Sequence, residues 1–460
     1  MKSSDDMIKD LFDRRDQYID GKKRKRAVRM RILIPVCAVC CVALLAFGVW
    51  KSGVLRKTTG TKNNTTTPTD ILLELEKSQE LTAGSSGEPA KTKKMDDTMR
   101  AAYETFAYKL FAQLPKGKTR MISPFSIYVA LSMLSDGADG NTLAQLDELL
   151  GLTAEERNAY LAGWLQELEA VRDKGETTFT NADSVWIDEK LKSLVPNDYL
   201  NICAQYFKAA VFATPMDDST VKDVNAWVKS KTKDMIDEIM DRMPSNTAAI
   251  LMNAITLDAK WDKKFDEEKT KKDYTFTKAD GTTEKVDMMF GEMPDGYLQN
   301  ELATGFIKPY KGGEYSYIAL LPREGVSVDQ LLASLSPESI RSLLGDKNYK
   351  YMKINIGIPK YEAEYSIELN DVLQQLGVTD AFDETKANLS RMIMDFPVYV
   401  GKVGHKTYIS VDEKGTQTAG ATDVVIQYRS LPPSVILNRP FVYIIVDSNG
   451  LPIFLGTFEG

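Results

Sequence analysis

The chain has 460 residues, 43% hydrophobic and 27% charged, which supplies a sizeable core and excludes a wholly disordered, collagen-like or disulfide-stapled mini-protein. Seven of the 58 basic residues lie between Lys22 and Arg31, leaving 51 against 65 acidic residues, an acidic remainder that argues against a nucleic-acid partner.

Residues 1–31 form a basic leader, and Ile32 to Trp50 follows as 19 residues without a charge. As a helix that run measures about 28 Å, close to a hydrocarbon core of roughly 30 Å. The cluster Lys22, Lys23, Arg24, Lys25, Arg26, Arg29 and Arg31 outweighs the later Lys51, Arg56 and Lys57, which puts the leader in the cytoplasm and everything after Trp50 outside. Removal as a signal peptide, giving a secreted protein, is the alternative, although the leader is long for that role and no clean small-residue cleavage site follows. Cys37, Cys40 and Cys41 are ordinary apolar residues of the span and leave Cys203 alone elsewhere, so no disulfide staples the main domain.

Residues 51–94 are rich in Thr, Lys, Gly, Ser and Asn and predict a tether of roughly 35 to 40 Å end to end, within which residues 71–81 could form a short helix. The folded domain is expected over 95–460. Asp96 or Asp97 caps a helix bearing Met99, Tyr103, Phe106, Leu110 and Leu114 at spacings of three and four. Asp223 to Met240 carries a second helical pattern. Tyr315 to Leu321, Phe396 to Val400, Phe441 to Val446 and Pro452 to Phe458 read as strands. Helices early and strands late indicate an α+β domain rather than alternating βαβ units. His405 is the single histidine, which rules out a two-His metal site; neither a metal nor any other cofactor is expected.

One stretch departs from this routine. Glu413-Lys-Gly-Thr-Gln-Thr-Ala-Gly-Ala-Thr-Asp-Val-Val-Ile-Gln-Tyr-Arg429-Ser430-Leu-Pro-Pro433 begins with small residues, turns apolar, and ends in a basic residue before two prolines. Read with period two, Thr416, Thr418, Gly420, Thr422, Val424 and Ile426 share one face, while the only acid of that run, Asp423, falls on the other. Such a segment suits both an exposed loop and a strand inside a sheet, whereas a plain linker needs no alternation.

Here the chain resembles a serpin, over essentially all of residues 97–460. Glu413-Lys-Gly-Thr-Gln-Thr-Ala-Gly-Ala-Thr422 resembles the hinge of the inhibitory members, with Glu413, Gly415, Thr416, Thr418, Gly420 and Thr422 as its positions. Ile122 to Thr142 resembles an early helix and its Gly-Ala-x-Gly-x-Thr turn. Asn253 to Trp261 resembles the central-sheet block, with Thr256-Leu257-Asp258-Ala259 departing from the usual wording, and Asn438-Arg-Pro-Phe441 with Pro452 to Gly456 resembles the closing strands. The resemblance implies a serpin fold with a large central β-sheet, smaller sheets, surrounding helices and an exposed reactive loop, preceded in this chain by the transmembrane helix.

It further implies an inhibitor that is not an enzyme, whose loop is bait for a serine protease. Counting from Gly415 places the scissile bond at Arg429–Ser430 and a trypsin-like protease as partner; a bond after Tyr428, for a chymotrypsin-like enzyme, is the alternative. After acyl-enzyme formation the severed loop would insert into the sheet and carry the protease with it. Ser126, Asn253 and His405 match a hydrogen-bonded shutter under the opening strands, and Trp261 the breach where insertion begins. Protonation of His405 below about pH 6.5 is expected to loosen that shutter.

A monomer is expected, on a cell surface and somewhat favoured as bacterial because the domain lacks disulfides. Two other classes stay open: a non-inhibitory serpin acting as a surface binding module, against which the small, Pro-free hinge argues, and a tethered hydrolase, for which no catalytic constellation is visible. Thr416→Arg would bury an unpaired charge on insertion. It is expected to turn the protein from inhibitor into substrate, and a stable adduct between this variant and a protease on a denaturing gel would contradict the mechanism.

Overall fold

The computed structural model describes residues 75–83, 90–172, 177–243, 247–294, 296–345, 348–350, 352–415 and 432–460, all in one compact unit. The leader and the Ile32–Trp50 run lie outside the described residues, among which no helix is long and apolar enough to cross a membrane.

A six-stranded central sheet carries β1 (Gln79–Glu80), β2 (Thr177–Asp188), β3 (Ala210–Thr214), β4 (Ala249–Ala259), β5 (Tyr361–Glu368) and β6 (Lys402–Val411), in the spatial order β1-β3-β2-β4-β6-β5. β2 and β4 run antiparallel with Asp183 opposite Asn253. β4 and β6 run parallel with Asn253 opposite His405, so these three residues form one row across three strands. A seven-stranded sheet contains Tyr315–Pro322, Phe441–Asp447 and Pro452–Phe458, as the apolar runs predict, and a four-stranded sheet completes the α+β architecture.

Helix α1 (Asp97–Ala112) starts where its cap predicts: the Asp96 carboxylate accepts from the Met99 amide at 3.0 Å, and Met99, Tyr103, Phe106 and Leu110 are buried. Helix α2 (Pro124–Gly137) is buried on almost every side and touches both larger sheets, which is why its sequence is apolar all round. Ser123 caps it and Pro124 occupies its first turn. Helix α3 (Asp218–Lys231) covers the opposite face of the central sheet, where Trp227 meets Trp186 and Phe212 edge-on at 6.3 and 5.9 Å.

Four expectations need correction. The second helix spans Asp218–Lys231 rather than 223–240, because Lys233 and Asp234 take positive φ and stop it. Ile236, Ile239 and Met240 are nonetheless buried, with the Ile239 and Met240 amides both held by Asn225 Oδ1 at 2.9 and 3.0 Å. Phe396 to Val400 is irregular: Pro397 removes a ladder donor, Phe396 is exposed, and only Val398 and Val400 point inward. Strands are not confined to the later half, since β2 and β4 are the longest of the central sheet; buried on both faces, Ala249–Ala259 shows no alternation to read.

The fourth correction concerns the tether. Residues 75–82 are neither helical nor free but lie along the sheet edge, β1 pairing antiparallel with β3. Asp223 of α3, fully buried, accepts from the amides of Glu76, Lys77 and Ser78 at 2.6, 3.0 and 2.8 Å and from the Ser78 hydroxyl at 2.6 Å. Leu75 packs against the cluster that includes Trp186 and Trp227. The segment therefore straps α3 to the edge of the sheet. Asp223→Ala removes the acceptor of four donors and is expected to cost about 2–3 kcal/mol in urea unfolding and to open the peptide bonds of residues 75–82 to limited proteolysis. An unchanged midpoint with the segment still protected would show that the carboxylate does not hold it.

Candidate functional site

Two clusters line the seam between β4 and β6. The first sits midway along it, on the face that packs against α2. His405 Nδ1–H donates to Asn253 Oδ1 across the seam at 2.6 Å, and the Ser123 amide donates to His405 Nε2 at 3.1 Å. These partners require the neutral imidazole with its proton on Nδ1. Asn253 Nδ2 donates to the Ser126 carbonyl at 3.0 Å, to Ser126 Oγ and to Asp183, while the Ser126 hydroxyl donates to Asn181 Oδ1 at 2.6 Å. Ser126, Asn253 and His405 thus meet in one hydrogen-bonded cluster, each 2% exposed or less.

The expected titration of His405 is overturned. Burial pushes its imidazole down from the ordinary 6.5 to about 3, and the Ser123 N–H occupies the lone pair that a second proton needs. Relative to the unfolded chain, the contribution of the neutral ring is fully present above pH 6.5 and is lost as pH falls from there through about 3. Burial and the Ser123 bond thus place protonation in the folded protein well below pH 6.5.

The second cluster closes the seam where β6 ends. Trp261, 1% exposed, stacks on Tyr310 at 4.4 Å and 6° and meets Tyr317 edge-on at 5.7 Å. Its indole Nε1–H donates to the Asp412 carbonyl at 2.9 Å and its amide to the Lys414 carbonyl at 3.2 Å, while the Phe265 amide donates to the Glu413 carbonyl at 3.0 Å. Asp412 and Gly415 close a turn that reverses the chain just past β6. Gly415 has φ +78°, and a Cβ there would fall 2.0 Å from the Trp261 amide nitrogen, so only glycine fits. Glu413, 5% exposed, accepts from Thr270 Oγ1 at 2.7 Å and pairs with Lys360 at 2.9 Å. Burial alone would raise its carboxyl, but the bonds from Lys360 and Thr270 outweigh that and hold it below the ordinary range.

Glu413 and Gly415 of the predicted hinge are therefore in place beside Trp261. Thr416, Thr418, Gly420, Thr422, Tyr428, Arg429 and Ser430 lie outside the described residues. Sequence reasoning missed Asp183, Asn181, Ser123, Lys360 and Thr270. The signal for the first two was weak: Asn181 and Asp183 stand two apart and so share one face of the strand, but threonines and serine in the same run mask them.

Residues 101–459 match the family model described as serpin (serine protease inhibitor). Iripin-5 of Ixodes ricinus is 30% identical over 77% of this chain and 92% of its own, and human leukocyte elastase inhibitor is 29% identical over 79% and 99%. The crystal structure of the thermophilic serpin tengpin in its native state superposes with a TM-score of 0.77 at 35% identity, over 84% of this chain and 100% of that one.

Glu413→Gln removes one half of an ion pair whose other half, Lys360, is 39% exposed, so the loss is expected at about 1–2 kcal/mol rather than the larger cost of breaking a fully buried pair. The carboxylate contributes above its ordinary pKa of 4.5 and loses that contribution as pH falls below it. Unfolding curves of parent and variant should separate at pH 7 and converge below pH 4; a pH-independent gap would assign the loss to packing instead.

Proposed function

The chain belongs to the serpin family of serine protease inhibitors, and from that premise we propose that it traps a trypsin-like protease through cleavage at Arg429–Ser430 and insertion of the severed loop between β4 and β6. One observation carries the reading. β4 and β6 are adjacent and parallel, and Asp412 and Gly415 close a turn at the end of β6, beside the same seam. A strand following that turn runs antiparallel to β6, and hence antiparallel to β4 as well. Insertion replaces one parallel ladder with two antiparallel ones, which pair slightly better per residue. With roughly ten additional ladder bonds at about 1 kcal/mol net each, the gain is on the order of 10 kcal/mol. That is the driving force an inhibitor of this kind needs.

The chemistry follows from the bait. The protease serine oxygen attacks the Arg429 carbonyl, the bond to the Ser430 nitrogen breaks, and the new amine leaves as the acyl ester forms. The Arg429 guanidinium suits an acidic pocket base through a paired, charge-assisted contact. Seventeen residues from Glu413 to Arg429 extend about 56 Å as a strand, enough to move the attached enzyme across a domain of this size before water cleaves the ester. The alternating small and apolar face of 416–426 supports burial of that strand.

The charge-free run 32–50 behind a basic leader supports anchorage in a membrane, leader in the cytoplasm and inhibitor outside, where it would shield a cell surface from exogenous proteases. The full chain in detergent micelles, mixed with trypsin and separately with chymotrypsin, is expected to give with trypsin an adduct that survives denaturing electrophoresis. It should also release a C-terminal peptide beginning at Ser430. A peptide beginning at Arg429, obtained with chymotrypsin, would move the bait to Tyr428; clean cleavage without any adduct would make the protein a non-inhibitory member.

A further inference from the structure

The insertion mechanism gives no role to a buried acid beside the seam. Asp183, 3% exposed, stands at the β2 end of the row Asp183–Asn253–His405 that crosses the seam. One carboxylate oxygen accepts from Asn253 Nδ2 and the other from Asn181 Nδ2. The groups around it are Asn181 on its own strand, Asn253 on β4, His405 on β6, and Ser123 and Ser126 at the start of α2. Among the described residues it has no ion pair and no charged side chain contributes to its titration.

An ionised carboxylate only accepts. Asn253 must therefore present Nδ2 to it, which turns Oδ1 toward the seam, where His405 Nδ1–H reaches it. His405 can make that donation because its other nitrogen accepts from Ser123. The charge at one end and the Ser123 N–H at the other thus fix the direction of every hydrogen bond in the row. A proton on Asp183 puts a third donor where Asn253 and Asn181 already aim theirs. If Asn253 turns to accept it, Oδ1 leaves His405, and His405 cannot compensate by moving its proton to Nε2 because the Ser123 N–H blocks that site. If Asn181 turns instead, Ser126 loses the acceptor of its hydroxyl. A bond is lost on either route.

We propose that Asp183 is a positioning residue for loop insertion: its carboxylate orients the Asn253 amide that closes the β4–β6 seam, and its protonation loosens the seam and speeds insertion. This rests on the insertion mechanism proposed above. Burial pushes the Asp183 carboxyl up to about 7, against the opposing hydrogen bonds from Asn253 and Asn181, so the change falls near neutral pH. His405, at about 3, stays neutral throughout that range. Relative to the unfolded chain, a raised carboxyl contributes stability that is fully present below about pH 3.8 and lost as pH rises through about 7. Acid therefore favours the fold as a whole at this residue while weakening the hydrogen-bonded row that closes the seam.

The test uses the full chain in detergent micelles, incubated without protease at pH 8, 7 and 6. Insertion is followed as the appearance of a urea-resistant species that no longer forms a protease adduct. Loss of one row bond predicts a rate about fivefold higher at pH 6 than at pH 8. Asp183→Asn, permanently neutral, should give a rate that no longer changes with pH, and His405→Gln should keep the dependence of the parent. A flat profile in the parent, an unaltered profile in Asp183→Asn, or a profile abolished by His405→Gln would each overturn the role of Asp183. Insertion at a pH-independent rate, or none at any pH, overturns the role of Asp183 but leaves the inhibitory mechanism standing, because that mechanism inserts the loop only after cleavage.

Discussion

The hydrogen bond from His405 Nδ1–H to Asn253 Oδ1 spans the seam between two parallel strands, and the proposed loop insertion depends on that seam being closed but able to open. Parallel neighbours need a long connection, and here the chain between β4 and β6 builds most of the other two sheets before returning. The seam is consequently the one place in the central sheet where a strand arriving through the turn after β6 would be antiparallel to both its neighbours. A sheet already antiparallel at that position would have nothing comparable to gain.

Two devices hold the seam shut, and they differ in kind. At its centre the buried row under α2 works by hydrogen-bond direction, each polar atom satisfied only while its neighbours keep their orientation. Where β6 ends, the Trp261 segment grips backbone: three carbonyls, those of Asp412, Glu413 and Lys414, are held by the Trp261 and Phe265 amides and the Trp261 indole. Backbone contacts tolerate changes of side chain, except at Gly415, where the approach leaves no room for a Cβ. The Glu413–Lys360 pair then fastens the start of the reversing turn to β5's leading end.

A third contact lies on the far edge, where residues 75–82 join α3 to the sheet through Asp223. An edge strand exposes unpaired backbone groups, and β1 covers part of that edge from within the chain. The same residues lie within the stretch whose composition reads as a tether, so the docked chain begins about twenty residues further toward the N-terminus than composition suggests.

Local physics determined a good deal from sequence alone. The Asp96 cap and its spaced apolar residues define α1, and the β-branched runs at Tyr315, Phe441 and Pro452 define strands, because those signals act over a few neighbouring residues. The family wording pointed to Ser126, Asn253, His405 and Trp261, which lie in the two clusters along the seam. Tertiary structure alone decided the rest. β2 and β4 were hidden because strands buried on both faces lose their alternation, and residues 75–82 are ordered by an acid 145 to 147 residues away. Asp183 acquires its significance from Asn253, 70 residues on, and from a histidine a further 152 residues beyond. Whether a buried carboxyl is ionised, and whether an imidazole titrates near neutrality or far below it, depends on desolvation and on which partners converge, and neither is written in the spacing of residues along a chain.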